Sequence, residues 1–272
     1  MLWAKPAMSE PAPHPTPNAA LCAVAIMAKA SVEGEVKTRL VPPLSFAEAA
    51  AFNTACLADV AANLCAAAAE APIAPFAAYA PEGAERFFAR LLPPKVALLP
   101  PRETSLGRSL HHAARDLVAK GYGAVCLLNA DSPTLPTALL SESAAALARP
   151  GDRAVLGPSS DGGYYLLGLK TAHRRLFENI AWSTERVAEQ TRERAREIGL
   201  ELDILPEWYD VDDAASLRRL HAEIFDGAAP TPHRARHTAA LLSALWPDGV
   251  FGRRGKPRMP TADARMPSGA TI

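Results

Sequence analysis

The sequence predicts an α/β fold in which helices cover both faces of a doubly wound, mainly parallel sheet. Two features of the chain support this prediction. Apolar runs alternate with helix-like segments from Leu21 to about Leu220, which is the pattern of successive strand–helix units. Several of the runs are apolar at nearly every position, as expected for strands that are buried on both faces of a parallel sheet.

The amino-acid composition excludes several classes of protein for this chain. Of the 272 residues, 49% are hydrophobic, which is enough for one sizeable core. Lys plus Arg equals Asp plus Glu at 29 each, so no global positive field draws the chain to nucleic acid or to an anionic membrane. The four cysteines form no CxxC pair, which favours free thiols in a reducing cytoplasm over a zinc site. No apolar run reaches the length that spans a bilayer.

The chain divides into three parts. Residues 1–18 are rich in proline and are predicted to be disordered. Residues 19–225 are predicted to form one domain. Residues 226–272 are predicted to be an extension with one amphipathic helix, Ala235–Trp246, followed by a disordered tail. We expect this helix either to pack loosely on the domain or to form a homodimer.

The elements of the domain are predicted from apolar runs and from helical spacing. Ser45 is a plausible N-cap for the first helix, Ser183 or Thr184 for the fifth, and Gly199 ends the fifth. The predicted strands are Leu21–Met27, Pro75–Ala80, Val96–Leu99, Val125–Leu128, Ala154–Gly157, the run that follows Gly163 to Leu169, and Leu202–Leu205. The predicted helices are Phe46–Glu70, Ala84–Leu91, one that ends near Ala119, Pro136–Leu147, Arg186–Ile198 and Ala214–Ile224.

A basic loop, Ala28–Leu40, follows the first strand. It carries Lys29, Lys37 and Arg39, and cations at the end of a first strand suit the phosphates of a nucleotide. The loop is neither a Walker loop nor a GxGxxG turn. A solvated charged loop is an equally good interpretation of these residues taken alone.

Asp131 follows the apolar strand Val125–Leu128, and Pro133 and Pro136 come soon after it. Proline cannot continue a central strand, so the strand ends close to Asp131. Ligands of open α/β sheets bind outside the carboxyl ends of the strands. Asp131 is therefore a candidate ligand for a metal or a substrate, with capping of the next helix as the alternative.

Asp161 precedes the pair Gly162 and Gly163. Adjacent glycines allow close approach of the backbone to a ligand such as a sugar or a base, or a positive φ. The alternative is an ordinary hairpin turn of the Asp-Gly type.

Asp210 and Asp212 are separated by one residue in a short extended segment, so their side chains are expected to point the same way. Two converging carboxylates are costly unless a cation lies between them. The pair therefore suits a magnesium site. Capping of the last core helix by Asp212 or Asp213 is the alternative.

Taken together, these motifs resemble the bacterial glycosyltransferase-like family of the arsenosugar-biosynthesis type, within the nucleotide-diphospho-sugar transferase (GT-A) superfamily. That superfamily also contains guanylyl- and cytidylyltransferases. The resemblance covers about residues 21–220. Its motifs are Met27–Ala30 with Gly34, Lys37–Leu40, Asp131–Pro133, Leu135–Pro136, Gly157–Pro158, Asp161–Gly168, Trp182–Thr184 and Asp210–Asp212.

The resemblance implies a set of site residues and a divalent cofactor, Mg²⁺ or Mn²⁺. Asp161 would face the sugar or the acceptor, and if transfer inverts the sugar, Asp161 is the expected catalytic base that deprotonates the acceptor. The implied nucleotide-binding residues are Lys29, Lys37 and Arg39. The implied metal ligands are Asp131, Asp210 and Asp212. The implied substrate-binding residues are Gly162, Gly163, Tyr164, Trp182, Ser183 and Thr184.

The expected reaction is transfer of a sugar from a nucleotide-sugar donor to a small-molecule acceptor, with no nucleic-acid partner and no membrane span. Asn129 stands where many sugar transferases of the superfamily carry the first aspartate of an Asp-x-Asp motif. Nucleotidyl transfer, in which an NTP reacts with a sugar phosphate or phospho-acid and releases pyrophosphate, is therefore the main alternative. A non-catalytic nucleotide-sugar sensor is a third.

Overall fold

A computed structural model describes residues 16–101, 105–226, 233–247, 249 and 251. Most of the predicted N-terminal disordered segment, and the tail from residue 252 onward, lie outside the described residues. Within them, seven strands and seven helices follow one another along the chain. The strands are β1 Cys22–Lys29, β2 Ile73–Ala80, β3 Ala97–Leu99, β4 Ala124–Leu128, β5 Arg153–Pro158, β6 Tyr164–Leu169 and β7 Glu201–Ile204. The helices are α1 Phe46–Glu70, α2 Glu85–Leu91, α3 Leu106–Ala119, α4 Thr137–Ala148, α5 Val187–Glu197, α6 Ala214–Phe225 and α7 Arg236–Leu245, with 3-10 turns at Thr38–Leu40 and Arg174–Phe177.

The strands form one sheet in the order β3-β2-β1-β4-β6-β5-β7. Neighbouring strands are parallel except for β6, which is antiparallel to both β4 and β5. The predicted α/β fold with a mainly parallel sheet is confirmed. Because β6 runs in the opposite direction, its amino end lies beside the carboxyl ends of β4 and β5. The turn between β5 and β6 therefore belongs to the carboxyl edge of the sheet.

Helices cover both faces of this sheet, as the predicted doubly wound architecture requires. Alternate residues of β1 face opposite sides: Val24 packs in one core cluster with residues of α1 and α4, and Ala25 packs in another with residues of α3 and α5. Both residues are fully buried. Burial on both sides explains why β1 is apolar at nearly every position.

Helix α1 has the predicted bounds and the predicted cap. The backbone N–H of Glu48 donates to Ser45 Oγ at 3.2 Å, and the backbone N–H of Ser45 donates to Glu48 Oε2 at 2.7 Å. This reciprocal capping box satisfies two N–H groups that the first turn leaves open. The prediction that no apolar run is long enough to span a bilayer is wrong for α1, which could span one by length and composition alone. However, 72% of its most apolar window is buried inside the protein. Its apolar surface is used by the core of the domain.

Of the two alternatives predicted for the C-terminal helix, loose packing on the domain is wrong, and a role in a homodimer stays a prediction. Helix α7 packs along α1, and its residues Thr238 and Leu242 are fully buried. It belongs to a third core cluster that joins Phe52 of α1 to Val211 of the segment after β7. The spacing of apolar residues in α7 therefore reflects packing against the same chain.

Asp59 ties α7 to α1. Its carboxylate is 1% exposed and accepts hydrogen bonds from the backbone N–H groups of His237 at 3.0 Å and Thr238 at 2.7 Å. We expect Asp59→Ala to lower the free energy of unfolding by about 2 kcal/mol, because two backbone N–H groups at a helix N-terminus, of which that of Thr238 is buried, lose their acceptor. Urea denaturation followed by circular dichroism measures this loss. Asp59→Asn keeps one acceptor oxygen and should lose less; an equal or smaller loss in Asp59→Ala would contradict the capping role.

The predicted cap of α5 is also wrong. The helix begins at Val187, and its N-cap is Arg186, whose side chain makes no capping hydrogen bond. Ser183 and Thr184 instead lie in the preceding turn, where Ser183 has φ of 63° and Thr184 Oγ1 donates to the carbonyl of Ala181 at 2.7 Å. Thr184 Oγ1 also accepts from the backbone N–H of Arg186 at 3.3 Å, so its hydrogen bonds belong to the turn that precedes the helix. The predicted end of α5 is supported, since Gly199 has φ of 64°.

Candidate active site

The candidate site lies at the carboxyl edge of the sheet, where the segment after β7 runs back across the ends of β5 and β4. The backbone N–H of Trp208 donates to the carbonyl of Pro158 at 3.1 Å, and that of Ser160 donates to the carbonyl of Trp208 at 2.9 Å. The backbone N–H of Val211 donates to the carbonyl of Asp131 at 2.9 Å. These bonds bring the late acidic segment next to Asp131.

The ammonium of Lys37 lies between two of the predicted metal ligands. Its Nζ is 2.5 Å from Asp131 Oδ1 and 2.8 Å from Asp212 Oδ1, and it donates to the carbonyl of Val211 at 2.7 Å. The Lys37 side chain is only 5% exposed. Burial alone lowers the pKa of Lys37, but the two carboxylates outweigh burial and raise this pKa above its usual value.

The other two predicted phosphate-binding cations differ from Lys37. Arg39 is 70% exposed, and its Nη2 lies 2.7 Å from Asp212 Oδ2. Burial opposes ionisation of Asp212, but Lys37 and then Arg39 hold its pKa below the usual value. Lys29 is exposed and donates to the carbonyl of Glu35 in its own loop at 3.1 Å. Lys37 and Arg39 thus converge with the acidic residues, whereas Lys29 contacts neither Asp131 nor Asp212 by hydrogen bond or ion pair.

Asp210 faces a different set of groups from Asp212. Its Oδ1 accepts hydrogen bonds from Asn129 Nδ2 at 3.0 Å, Ser132 Oγ at 3.1 Å and Ser159 Oγ at 2.7 Å. Our sequence reasoning missed Ser132 and Ser159. Their positions directly after Asp131 and at the end of β5 are the only signal that could have found them. Asp210 therefore links the ends of β4 and β5.

Asp210 is largely buried, and burial raises its pKa from 3.8 to about 6 against the lowering effect of the Ser159 hydrogen bond. A carboxyl whose pKa is raised by folding stabilises the folded state at pH values below the pKa that the group has in the unfolded chain. This stabilisation is lost as the pH rises through the pKa that the group has in the folded protein. We expect the folded protein, kept free of metal by a chelator, to lose stability between about pH 4 and pH 6 through this group. Asp210→Asn should remove that slope and gain about 2 kcal/mol at pH 7.

Chemical denaturation at pH 4, 6 and 7 tests this prediction. Asp152→Asn, at the amino end of β5, serves as the control because it removes a carboxylate from the opposite edge of the sheet. A gain for Asp210→Asn that stays the same at all three pH values would show that ionisation of Asp210 has no part in it.

The Asp161 loop is a hairpin turn, and it also lies at the candidate site. The backbone N–H of Ser159 donates to the carbonyl of Gly163 at 3.0 Å, and that of Gly162 donates to the carbonyl of Ser159 at 3.1 Å. Asp161 is exposed and accepts from the backbone N–H of Gly163 at 2.9 Å. The alternative prediction of a hairpin turn is therefore confirmed. In this turn the Asp161 carboxylate lies at the carboxyl edge of the sheet.

Gly162 has a structural requirement of its own. Its φ is 88°, and a Cβ at this position would lie 2.0 Å from the carbonyl oxygen of Glu185. The Gly162 carbonyl also accepts from the backbone N–H of Ala188 at 2.9 Å. The close backbone approach made at this glycine is therefore to the turn before α5.

The remaining predicted substrate residues are divided between core and surface. Tyr164 and Trp182 each pack against the core cluster that includes residues of α3 and α5, and the indole of Trp182 lies against Gly107. The Tyr164 hydroxyl is buried and has no hydrogen-bond partner among the described residues, and burial raises the pKa of Tyr164 above the usual value. Ser183 and Thr184 are exposed.

The donor set fits a hard divalent cation such as Mg²⁺ or Mn²⁺. Carboxylates of Asp131 and Asp212 already converge on one cationic group, the Lys37 ammonium. The buried side-chain oxygen of Asn129 has no hydrogen-bond partner within the part of the chain that the structure describes. Among the described residues no group of three or more His, Cys, Asp or Glu could enclose an ion. Two carboxylates with the remaining positions left to phosphate and water are typical of nucleotide-bound magnesium.

Comparison with known proteins supports this architecture. The family described as "Uncharacterized protein conserved in bacteria (DUF2064)" matches residues 62–184. No curated protein matches the chain. A crystal structure from Desulfovibrio desulfuricans G20, provisionally assigned as a nucleotide-diphospho-sugar transferase, is similar with a TM-score of 0.71 at 28% sequence identity. The match covers 82% of this chain and 94% of that chain.

The structure of a CMP:2-keto-3-deoxy-manno-octonic acid synthetase complexed with CTP is also similar. Its TM-score is 0.50 at 11% identity, over 76% of this chain and 99% of that chain. At this identity the likeness concerns the fold alone. The chain therefore has the fold of the nucleotide-diphospho-sugar transferases, which is the superfamily that its motifs resemble.

Proposed function

We propose that the protein is a metal-dependent glycosyltransferase that moves a sugar from a nucleotide-diphosphate donor to a small acceptor. The observation that carries this proposal is the convergence of Lys37, Asp131 and Asp212 at the carboxyl edge of the sheet. Open α/β sheets bind their ligands at this edge. The similarity to the provisionally assigned nucleotide-diphospho-sugar transferase supports the same donor class.

Asp131 and Asp212 would hold the Mg²⁺ or Mn²⁺, and the ion supplies charge neutralisation for the departing nucleotide diphosphate. Arg39 is 70% exposed beside Asp212, so its guanidinium is free to offer a planar fork to a phosphate. Asp161 is exposed at the same edge and is the group that we assign as the base for the acceptor hydroxyl. These residues fall within the part of the chain, residues 19–225, that we propose as the catalytic domain.

Nucleotidyl transfer is the second candidate, and the identity of residue 129 favours it. Asn129 leaves Asp131 without the second carboxylate of an Asp-x-Asp motif, and Asn129 is hydrogen bonded to Asp210 at 3.0 Å. The fold is also compatible with this chemistry, since it is similar to that of a synthetase complexed with CTP. Lys37 and Arg39, the cations at this site that are predicted to bind nucleotide phosphates, would then bind a triphosphate.

A thermal-shift screen with Mn²⁺ against nucleotide sugars, nucleoside diphosphates and NTPs tests the proposal, because ligands that bind only the folded state raise the melting temperature. We expect stabilisation by one nucleoside diphosphate and its sugar, followed by release of that diphosphate when an acceptor is added. Stabilisation by an NTP with release of pyrophosphate would move the assignment to nucleotidyl transfer. Binding without turnover of any ligand would indicate a sensor.

A further inference from the structure

The hydrogen-bonding capacity of Lys37 is fully used inside the protein. An ammonium has three donors, and Lys37 Nζ has three oxygen partners: Asp131 Oδ1 at 2.5 Å, Asp212 Oδ1 at 2.8 Å and the Val211 carbonyl at 2.7 Å. The side chain is 5% exposed. In this arrangement Lys37 has no donor left for a phosphate.

The same two carboxylates are the ones that would bind the divalent ion. Two cations cannot occupy the space between Asp131 and Asp212, because like charges at contact distance repel strongly in a site with little water. Lys37 and the ion therefore compete for one position. Arg39 does not compete with the ion for this position, because it contacts Oδ2 of Asp212 from the exposed side.

We infer that Lys37 is an exchangeable internal cation: it holds Asp131 and Asp212 together before a divalent ion binds, and it leaves them for a ligand phosphate when the ion enters. This inference rests on the ion assigned under the proposed function. The exchange keeps a cation between the two carboxylates at every stage, which reduces their mutual repulsion in the absence of metal. Lys37 can therefore donate to a phosphate only after the ion has displaced it from the two carboxylates.

The consequence is that metal and phosphate bind cooperatively. An ion that enters without a nucleotide must displace a well-bonded ammonium and leave it without an acceptor. An ion that enters with a diphosphate gives Lys37 a new anionic partner. Each ligand therefore raises the affinity for the other, and linkage requires the effect to be reciprocal.

Substitution of Lys37 by methionine tests the exchange with Mn²⁺ alone as the probe. We expect Lys37→Met to bind Mn²⁺ about tenfold more tightly than the wild-type protein, because no ammonium has to be displaced. Isothermal titration calorimetry, or the loss of the free Mn²⁺ signal in electron paramagnetic resonance, measures this affinity without nucleotide. Lys29→Met is the matched control for Mn²⁺ binding, since it removes a positive charge from the end of β1 and Lys29 contacts the Glu35 carbonyl instead of Asp131 or Asp212. Equal or weaker Mn²⁺ binding by Lys37→Met would overturn the inference.

A second measurement uses the unaltered protein and does not depend on folding of the variant. A lysine-acylating reagent should modify Lys37 slowly without metal, because the amine is buried and hydrogen bonded, and faster once Mn²⁺ has displaced it. Peptide mass spectrometry reads the rate at Lys37, with Lys29 as the internal reference. A rate at Lys37 that stays constant or falls with Mn²⁺ would contradict displacement. Both tests omit nucleotide, so their outcome is independent of whether the transferase proposal survives.

Discussion

Asp131→Ala is expected to reduce turnover by about a thousandfold or more while leaving the fold intact. The carboxylate is one of the two that hold the cationic position at the carboxyl edge of the sheet. Loss of a ligand that helps to neutralise charge on a departing nucleotide removes several kcal/mol of transition-state stabilisation. Lys37 keeps Asp212 and the Val211 carbonyl as partners, so the loop does not lose its anchor. Steady-state kinetics with the donor found in the thermal-shift screen measure the effect.

Asp152→Ala is the matched control for this experiment. Asp152 lies at the amino end of β5 and pairs with His173, on the opposite edge of the sheet from Asp131. The turnover of the Asp152→Ala variant should equal that of the unaltered protein. If Asp131→Ala retained substantial metal-dependent activity, Asp131 would lose its assignment as a metal ligand.

Gly162→Ala is expected to lower the free energy of unfolding by about 3 kcal/mol or more. Two effects combine at this position. The φ of 88° is strained for any residue with a Cβ, and the added methyl would lie 2.0 Å from the carbonyl oxygen of Glu185, which is backbone and cannot rotate away. The hairpin turn and the start of α5 would have to separate. Chemical denaturation measures the loss.

Gly163→Ala is the matched control for Gly162→Ala. The added Cβ would lie 3.1 Å from a side-chain oxygen of Asp161, which is exposed and can move. Its loss of stability should be well below that of Gly162→Ala. Similar small losses in both variants would show that the turn relaxes easily, and would return Gly162 to the role of a residue that admits a ligand.

Sequence reasoning predicts the elements of this fold well where local signals and burial agree. The bounds of α1 follow from an uninterrupted alanine-rich segment with Ser45 before it, and the structure has the same bounds. The reversed direction of β6 did not follow from the apolar pattern, because buried strands of either direction look alike. The short connection between β5 and β6, residues 159–163, does require it, since a parallel connection needs a crossover of a dozen or more residues.

The candidate site is less predictable than the fold. That Lys37, Asp131 and Asp212 share one edge of the sheet follows from the strand ends. Direct contact between Lys37 and Asp212, 175 residues apart, depends on the segment after β7 turning back across β5. No local pattern encodes that path. The hydroxyls of Ser132 and Ser159 were missed for the same reason, because their only common feature is a contact with Asp210.

The third core cluster has a consequence for the order in which the chain is made. It joins Leu40 and Phe52, near the start of the chain, to Tyr209, Leu242 and Trp246 near its end. The ribosome synthesises Leu40 and Phe52 long before it synthesises Leu242 and Trp246. Throughout that interval the surface of α1 that packs against α7 in the finished fold is left uncovered. The cluster therefore cannot be completed before α7 has been made, and nascent chains stalled before α7 are expected to bind chaperones.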